Sequence, residues 1–215
     1  MRFKICCIQS ADELRMAVDA GAHAIGLVGR MPSGPGPIHD ELIRSIAAVV
    51  PPGVSSFLLT SETDPNAIIA HYHRTLTQTL QLVDYVDTRD YAVIRKALPS
   101  IRIVQVVHVT GPESLDFALR AAEHVDALLL DSGNPTAQIK TLGGTGNVHD
   151  WSVSQRIVAE TGIPVFLAGG LNAGNVREAI DLVQPYGVDI CSGVRTDGNL
   201  DAKKLEAFVR AVAAA

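Results

Sequence analysis

Eight short apolar runs alternate with eight segments of helical character, and this alternation limits the possible folds more than any other feature of the chain. The runs fall at residues 3–8, 24–28, 55–59, 79–83, 102–107, 127–131, 164–168 and 188–191. Helical segments follow at 11–20, 40–49, 66–74, 88–98, 113–123, 151–161, 175–184 and 201–213. Ser10 stands where an N-cap is needed for the first helix, and Gly21 lies just past its end. Strands separated by helices imply βα units and a parallel sheet. The runs are apolar almost throughout, as expected of strands covered on both faces. The pattern predicts an α/β chain folded as a single (β/α)8 TIM barrel, one domain over residues 1–215. Such barrels typically take about 250 residues, so a chain of 215 makes a compact one. An open, doubly wound sheet is the other architecture that fits.

Composition narrows the partners. Apolar residues make up 47% of the chain and charged residues 19%, which is too apolar for disorder and enough to bury a large core. Eighteen Lys and Arg against 23 Asp and Glu give a net charge of −5. No basic field exists to collect nucleic-acid phosphates, so no nucleic-acid partner is expected. The longest apolar runs, at 46–50 and 127–130, are too short to span a bilayer. The first residues read as a strand rather than as a charged region followed by a long apolar one, so no signal peptide and no membrane are expected. Cys6, Cys7 and Cys191 are odd in number and form no CxxC pair. They argue against a disulfide framework or a metal site and fit a reducing cytoplasm.

In a barrel the chemistry lies at the C-terminal ends of the strands. There the sequence places Cys6-Cys7, His108, Asp131-Ser132, Gly169-Gly170 and Ser192-Gly193. Loops after the seventh and eighth strands often hold phosphate, because glycine lets backbone N–H groups approach the oxygens. Gly169, Gly170, Ser192 and Gly193 suit that role, and Gly144 and Gly146 in the long loop add donors. Their plainer reading is tight turns. The run Gly144-Thr145-Gly146 is not completed to a dinucleotide fingerprint, because residue 149 is His, and no GxxxxGK[ST] occurs. Cys6 or Cys7 is a candidate base or nucleophile if its thiol is acidified; the plainer reading is a small buried apolar residue. Strand alternation puts the two on opposite faces, so one of them should line the mouth. Asp131 ends an apolar strand and must find a partner or face the mouth. His108 is an acid–base group in the mouth, a ligand for an anion, or simply a solvated polar residue at a strand end. His71 and His73 read as surface positions of a helix, and His149 as loop.

Several segments, in order and nearly end to end, are similar to one family. Lys4-Ile5-Cys6 resembles the KICG opening of phosphoribosylanthranilate isomerases, enzymes of tryptophan biosynthesis. Residues 21–28 resemble the family's second strand, and Gln81-Leu82 the start of its QLHG. Leu128–Asp131 resembles LLLD, and Gly143–Gly146 with Asp150-Trp151 resembles GGTG…DW. Residues 167–171 with Asn175-Val176 resemble LAGGL…NV, and Asp189 with Ser192-Gly193-Val194 resembles DVSSGVE. The resemblance implies a barrel that carries out an Amadori rearrangement, aminoaldose phosphate to aminoketose phosphate, without cofactor or metal. It implies Asp131 as the acid, Cys6 as the base and Gly169, Gly170, Ser192 and Gly193 as the phosphate grip.

The chain also departs from the family pattern. The glycine after the cysteine is Cys7. The loop at 32–37 lacks the family's arginine, leaving Arg30 as the nearby cation. QLHG becomes Gln81-Leu82-Val83-Asp84, the family's lysine on the fifth strand aligns with Gln105, His108 replaces a small residue, and the glutamate of SGVE is Arg195. Cys7, Arg30, Gln81, His108 and Arg195 are therefore possible substrate-pocket residues. The expected partner is a small phosphorylated sugar-type substrate, and the expected state a monomer or homodimer. The alternative is a paralogue that acts on, or merely binds, another phosphosugar-type ligand.

Overall fold

The computed structural model describes residues 1–133 and 149–214. Eight strands carry the described core: β1 (Arg2–Ile5), β2 (Ala24–Val28), β3 (Ser55–Thr60), β4 (Thr79–Leu82), β5 (Arg102–His108), β6 (Ala127–Asp131), β7 (Val165–Leu167) and β8 (Gly187–Ile190). The helices are α1 (Ala11–Asp19), α2 (Asp40–Ala47), α3 (Pro65–Thr75), α4 (Asp90–Ala97), α5 (Ser114–Ala122), α6 (Trp151–Thr161), α7 (Val176–Val183) and α8 (Ala202–Ala213). The strands pair in chain order and β1 closes on β8, so the sheet is a closed (β/α)8 barrel and not an open one. A short 3-10 turn (Ser192–Val194) and a hairpin of β9 (Arg195–Thr196) and β10 (Asn199–Leu200) stand between β8 and α8.

Local chemistry starts the helices as the sequence suggests. The Ser10 side chain accepts from Glu13 N, Asp64 accepts from Ala67 N ahead of Pro65, and Asp201 caps α8. Helix α6 ends on Gly162 in the left-handed region. Strand alternation then divides the apolar residues into two cores. Ile5, Ile25, Leu27, Leu58, Leu80, Ile103, Leu128 and Leu130 face the helices. Ala24, Val28, Phe57, Val104, Val106, Leu129 and Phe166 fill the barrel interior, where Phe57 and Phe166 meet edge to face.

The strand ends differ from the sequence reading. The first run was expected to remain strand to residue 8, but β1 stops at Ile5. Cys6 N still donates to Ile190 O at 2.8 Å, and then Cys7 turns the chain with φ +63°. His71 is not a surface residue. It is buried, with Nδ1 2.9 Å from Thr60 Oγ1 and Nε2 3.1 Å from Asp40 Oδ1, so it ties α3 to β3 and α2.

Arg195, a possible substrate-pocket residue on its sequence position, does not line the cavity. It sits buried beneath the barrel mouth as a clasp. Its guanidinium takes both carboxylate oxygens of Glu13, at 2.9 and 3.0 Å, and donates to the carbonyls of Gly198, Cys6 and Cys7. Glu13 also accepts from the N–H groups of Gln9 and Leu200. One bidentate pair thus joins α1, the hairpin and the Cys6-Cys7 turn.

Glu13→Gln should cost about 3 kcal/mol of stability, because it leaves the buried guanidinium half-paired. Burial opposes ionisation of Glu13, but Arg195 and the backbone donors outweigh it and hold its pKa low. The pair's contribution is therefore complete above the unfolded glutamate value of about 4.3 and is lost as pH falls through the lower native value. Urea unfolding of both proteins at neutral and acidic pH checks this; the gap between them should narrow on acidification.

Candidate active site

All eight strands reach the cavity at the mouth of the barrel, and the ends of β1, β6, β7 and β8 bring the candidate functional groups to it. Inward-facing Lys4 is fully buried and donates to Asp189 Oδ1 at 2.8 Å across the β1–β8 seam. Its ammonium also lies 5.4 Å from the centre of the Phe57 ring. Cys6 follows at the strand end. Gly26 on β2 makes room for both groups: a Cβ there would come within 2.9 Å of Cys6 Sγ and 3.1 Å of Lys4 Nζ.

Cys6 and Cys7 line the same cavity, together with Gln81, Asp131, Gly169, Gly170, Asp189, Cys191 and Ser192. The expectation that only one cysteine could do so fails because Cys7 is no longer in a strand. Its left-handed backbone turns it back toward the mouth, where Gly36 leaves space for its Cβ. The Cys7 thiol lies 3.6 Å from the Pro35 carbonyl and 2.7 Å from Cys191 Sγ.

The two candidate acid–base groups are pushed in opposite directions. A hydrogen bond from the Cys7 thiol lowers the pKa of Cys6; burial opposes this, and the Lys4 charge adds to the lowering, so the net direction is down. Burial raises Asp131; the Ser132 N–H, donating to its Oδ1 at 2.7 Å, and the nearby His108 oppose it, and the net direction is up. A thiol made easier to ionise and a carboxyl made harder to ionise are what a base and an acid working side by side require. Lys4 itself would be lowered by burial, but Asp189 and the neighbouring thiols reverse the sign and keep it charged.

Glycine shapes the opposite rim. Gly169 and Gly170 have φ of +81° and +65°. A Cβ on Gly193, in the 3-10 turn, would run into the Leu171 carbonyl. The loops after β7 and β8 therefore close on one another; Gly169, Gly170 and Ser192 line the cavity, and Gly193 lies behind them against Leu171. Among the described residues no group of three or more His, Cys, Asp or Glu could hold a metal ion, and no helix is long and apolar enough to cross a membrane.

The model of one family, N-(5'-phosphoribosyl)anthranilate (PRA) isomerase, matches residues 3–211. The chain belongs to the PRA isomerase family. It is 39% identical over 211 residues to N-(5'-phosphoribosyl)anthranilate isomerase 2 of Methanosarcina mazei, covering 97% of this chain and 92% of that protein. The phosphoribosyl anthranilate isomerase of Thermotoga maritima superposes with a TM-score of 0.85 at 28% identity, over 100% of both chains. Another isomerase structure, solved in complex with reduced 1-(o-carboxyphenylamino)-1-deoxyribulose 5-phosphate, superposes with a TM-score of 0.82 at 26% identity, again over 100% of both.

The remaining pocket candidates of this PRA isomerase family member divide. Gln81 points inward, 2% exposed, and its Oε1 has no hydrogen-bond partner among the described residues. His108 does not line the cavity: its Nε2 lies 2.8 Å from the Val83 carbonyl, and its Nδ1 is buried without a partner among the described residues. Arg30 is exposed and also outside the cavity lining, and its loop contributes Met31, Ser33, Gly34 and Pro35 instead. Gly144 and Gly146 lie outside the described residues. Sequence reasoning passed over Lys4 and Asp189. The signal was present as one charge of each sign inside the first and last apolar runs, where a buried charge must be paired.

Lys4→Gln keeps a donor for Asp189 but removes the charge beneath Cys6. The pH at which Cys6 becomes reactive to iodoacetamide should move up by about 1–3 units. Alkylation rates against pH, read by mass spectrometry of the Cys6 peptide, measure the shift.

Proposed function

We propose that this chain isomerises N-(5'-phosphoribosyl)anthranilate to 1-(o-carboxyphenylamino)-1-deoxyribulose 5-phosphate, with Asp131 as general acid and Cys6 as general base. The observation that carries this reading is the meeting of these two groups on one cavity with opposed tuning: burial makes the Asp131 carboxyl harder to ionise, and Cys7 and Lys4 make the Cys6 thiol easier to ionise. Asp131 gives its proton to the ribose ring oxygen. The C1′–O bond breaks, and the aromatic amine's electron pair forms a C1′=N Schiff base. The Cys6 thiolate then removes the proton on C2′, and the electron pair moves into a C1′=C2′ enol. Tautomerisation protonates C1′ and leaves the ketone at C2′. Carbon 1 is reduced and carbon 2 oxidised within one molecule, so no outside electron carrier enters the balance. The phosphate is held by Gly169, Gly170, Ser192 and Gly193 through backbone N–H groups. The enzyme is a cytoplasmic monomer or homodimer of one domain, consistent with its unpaired thiols.

A second reading rests on one observation. No Arg or Lys side chain lines the cavity among the described residues, so nothing described there is built to grip the carboxylate of anthranilate. An aminoaldose phosphate without that carboxylate would use the same acid, base and phosphate grip. Growth of a tryptophan auxotroph lacking the isomerase, with this chain supplied, separates the two. Rescue supports the anthranilate substrate, and failure by a folded, phosphosugar-binding protein supports the other.

Cys6→Ser and Asp131→Asn should each lower kcat by about 10²–10⁴-fold with the circular dichroism spectrum unchanged. Loss in neither variant would end the acid–base assignment. Gly193→Asp should weaken ribose 5-phosphate binding at least about tenfold, since one lost charge-assisted hydrogen bond costs about 1.5–3 kcal/mol. Isothermal titration measures it, and unchanged affinity would remove the phosphate from this rim.

A further inference from the structure

Two of the three thiols exchange no proton with the substrate in the proposed reaction, and they meet at the seam of the mouth. Cys7 Sγ and Cys191 Sγ lie 2.7 Å apart, and both cysteines are free. They meet because β1 and β8 close the barrel there in register, with Ile5 opposite Ile190, and because the left-handed turn at Cys7 swings its side chain across to β8. The Arg195 clasp holds that turn by its two carbonyls. A disulfide needs an S–S bond of about 2.05 Å, and the two sulfurs start 2.7 Å apart. Cys191 is half-buried and lines the open cavity, which gives a small oxidant a way in. In the family motifs that this chain resembles, KICG and DVSSGVE, these two positions are Gly and Ser, so both cysteines are departures from those motifs.

We infer that Cys7 and Cys191 are a disulfide site, formed by hydroperoxides across the β1–β8 seam, whose closure turns the Cys6 base off. The Cys191 sulfur attacks the peroxide. An S–O bond forms, the O–O bond breaks, and the departing hydroxide takes the thiol proton and leaves as water. The Cys7 sulfur then attacks the resulting sulfenic acid. An S–S bond forms, the S–O bond breaks, and a second water leaves with the Cys7 proton. Two thiols lose two electrons and two protons, and hydrogen peroxide becomes two waters. Cys7 follows Cys6 directly and lines the same cavity, so closure replaces the thiol beside the base with a sulfur that has no proton to donate, while Lys4 stays in place. The disulfide itself is independent of the proposed reaction, but the loss of turnover rests on Cys6 being its base.

The test is hydrogen peroxide treatment of the whole protein, followed by mass spectrometry, thiol counting, Cys6 alkylation and the isomerase assay. The expected result is a mass lower by two hydrogens, a Cys7–Cys191 cross-linked peptide and one remaining titratable thiol. Cys6 alkylation and kcat should both fall at least about tenfold, within the range a general base contributes, and recover with dithiothreitol. In Cys191→Ser, judged against its own reduced form, Cys6 alkylation should survive the same treatment. Oxygen gained at Cys6 alone, or a Cys6–Cys7 link, overturns the site. A Cys7–Cys191 bond that leaves Cys6 alkylation unchanged overturns the switch. A reduced enzyme without isomerase activity sinks the proposed reaction, whereas the cross-link and alkylation results still decide the disulfide site.

Discussion

A lysine ammonium with no solvent exposure lies inside this barrel, and the mouth is arranged around it. Removing such a charge from water costs several kcal/mol after relaxation, so Lys4 requires a counter-charge at hydrogen-bond distance. Asp189 provides it from the neighbouring strand, at the seam where β8 meets β1. The pair therefore sits where the barrel closes. A shift of one residue in that register would turn Asp189 toward the helices and leave Lys4 unpaired. Whether such a pair adds net stability over an apolar one is doubtful on general grounds, but here it has a further use: a fixed positive charge directly beneath a thiol.

The same charge and the Cys6 thiol share the space above Gly26, where any side chain on β2 would crowd both. Across the cavity, Asp131 is buried at the end of β6, with the Ser132 N–H as its close donor. Burial acts on both groups, and the difference between them lies in what each faces. Cys6 has a cation and a thiol donor beside it, which outweigh burial, whereas the Ser132 N–H and His108 beside Asp131 do not. Two groups of ordinary chemistry thus acquire opposite tendencies from one low-dielectric cavity.

The Arg195 clasp explains how a non-glycine residue holds φ +63° next to the candidate base. A left-handed cysteine is strained by about 1–2 kcal/mol relative to the right-handed regions, and the surroundings must hold it there. Donors from Arg195 to both carbonyls of the turn, with Glu13 holding the guanidinium, supply that support. The position read as a possible substrate contact is instead the support beneath the contact.

Much of this molecule was legible in its sequence. Apolar runs of four to six residues separated by segments of helical character, with Ser10 as a cap, suffice for eight βα units, since both signals are local. Cys6, Asp131, Gly169, Gly170 and Ser192 could be placed at the mouth because strand ends are local too. The sequence could not reveal which charges meet across the seam, since Lys4 and Asp189 are separated by nearly the whole chain. Nor could it show that β1 ends at Ile5, because Cys6, Cys7 and Ile8 are as apolar as a strand residue should be. Only the packing of α1, the hairpin and Arg195 against that turn bends it out of the ladder. Local periodicity therefore determined the elements and their order. Closure of the barrel decided the pairing of buried charges and the meeting of thiols, because those depend on distances that exist only once β8 lies against β1.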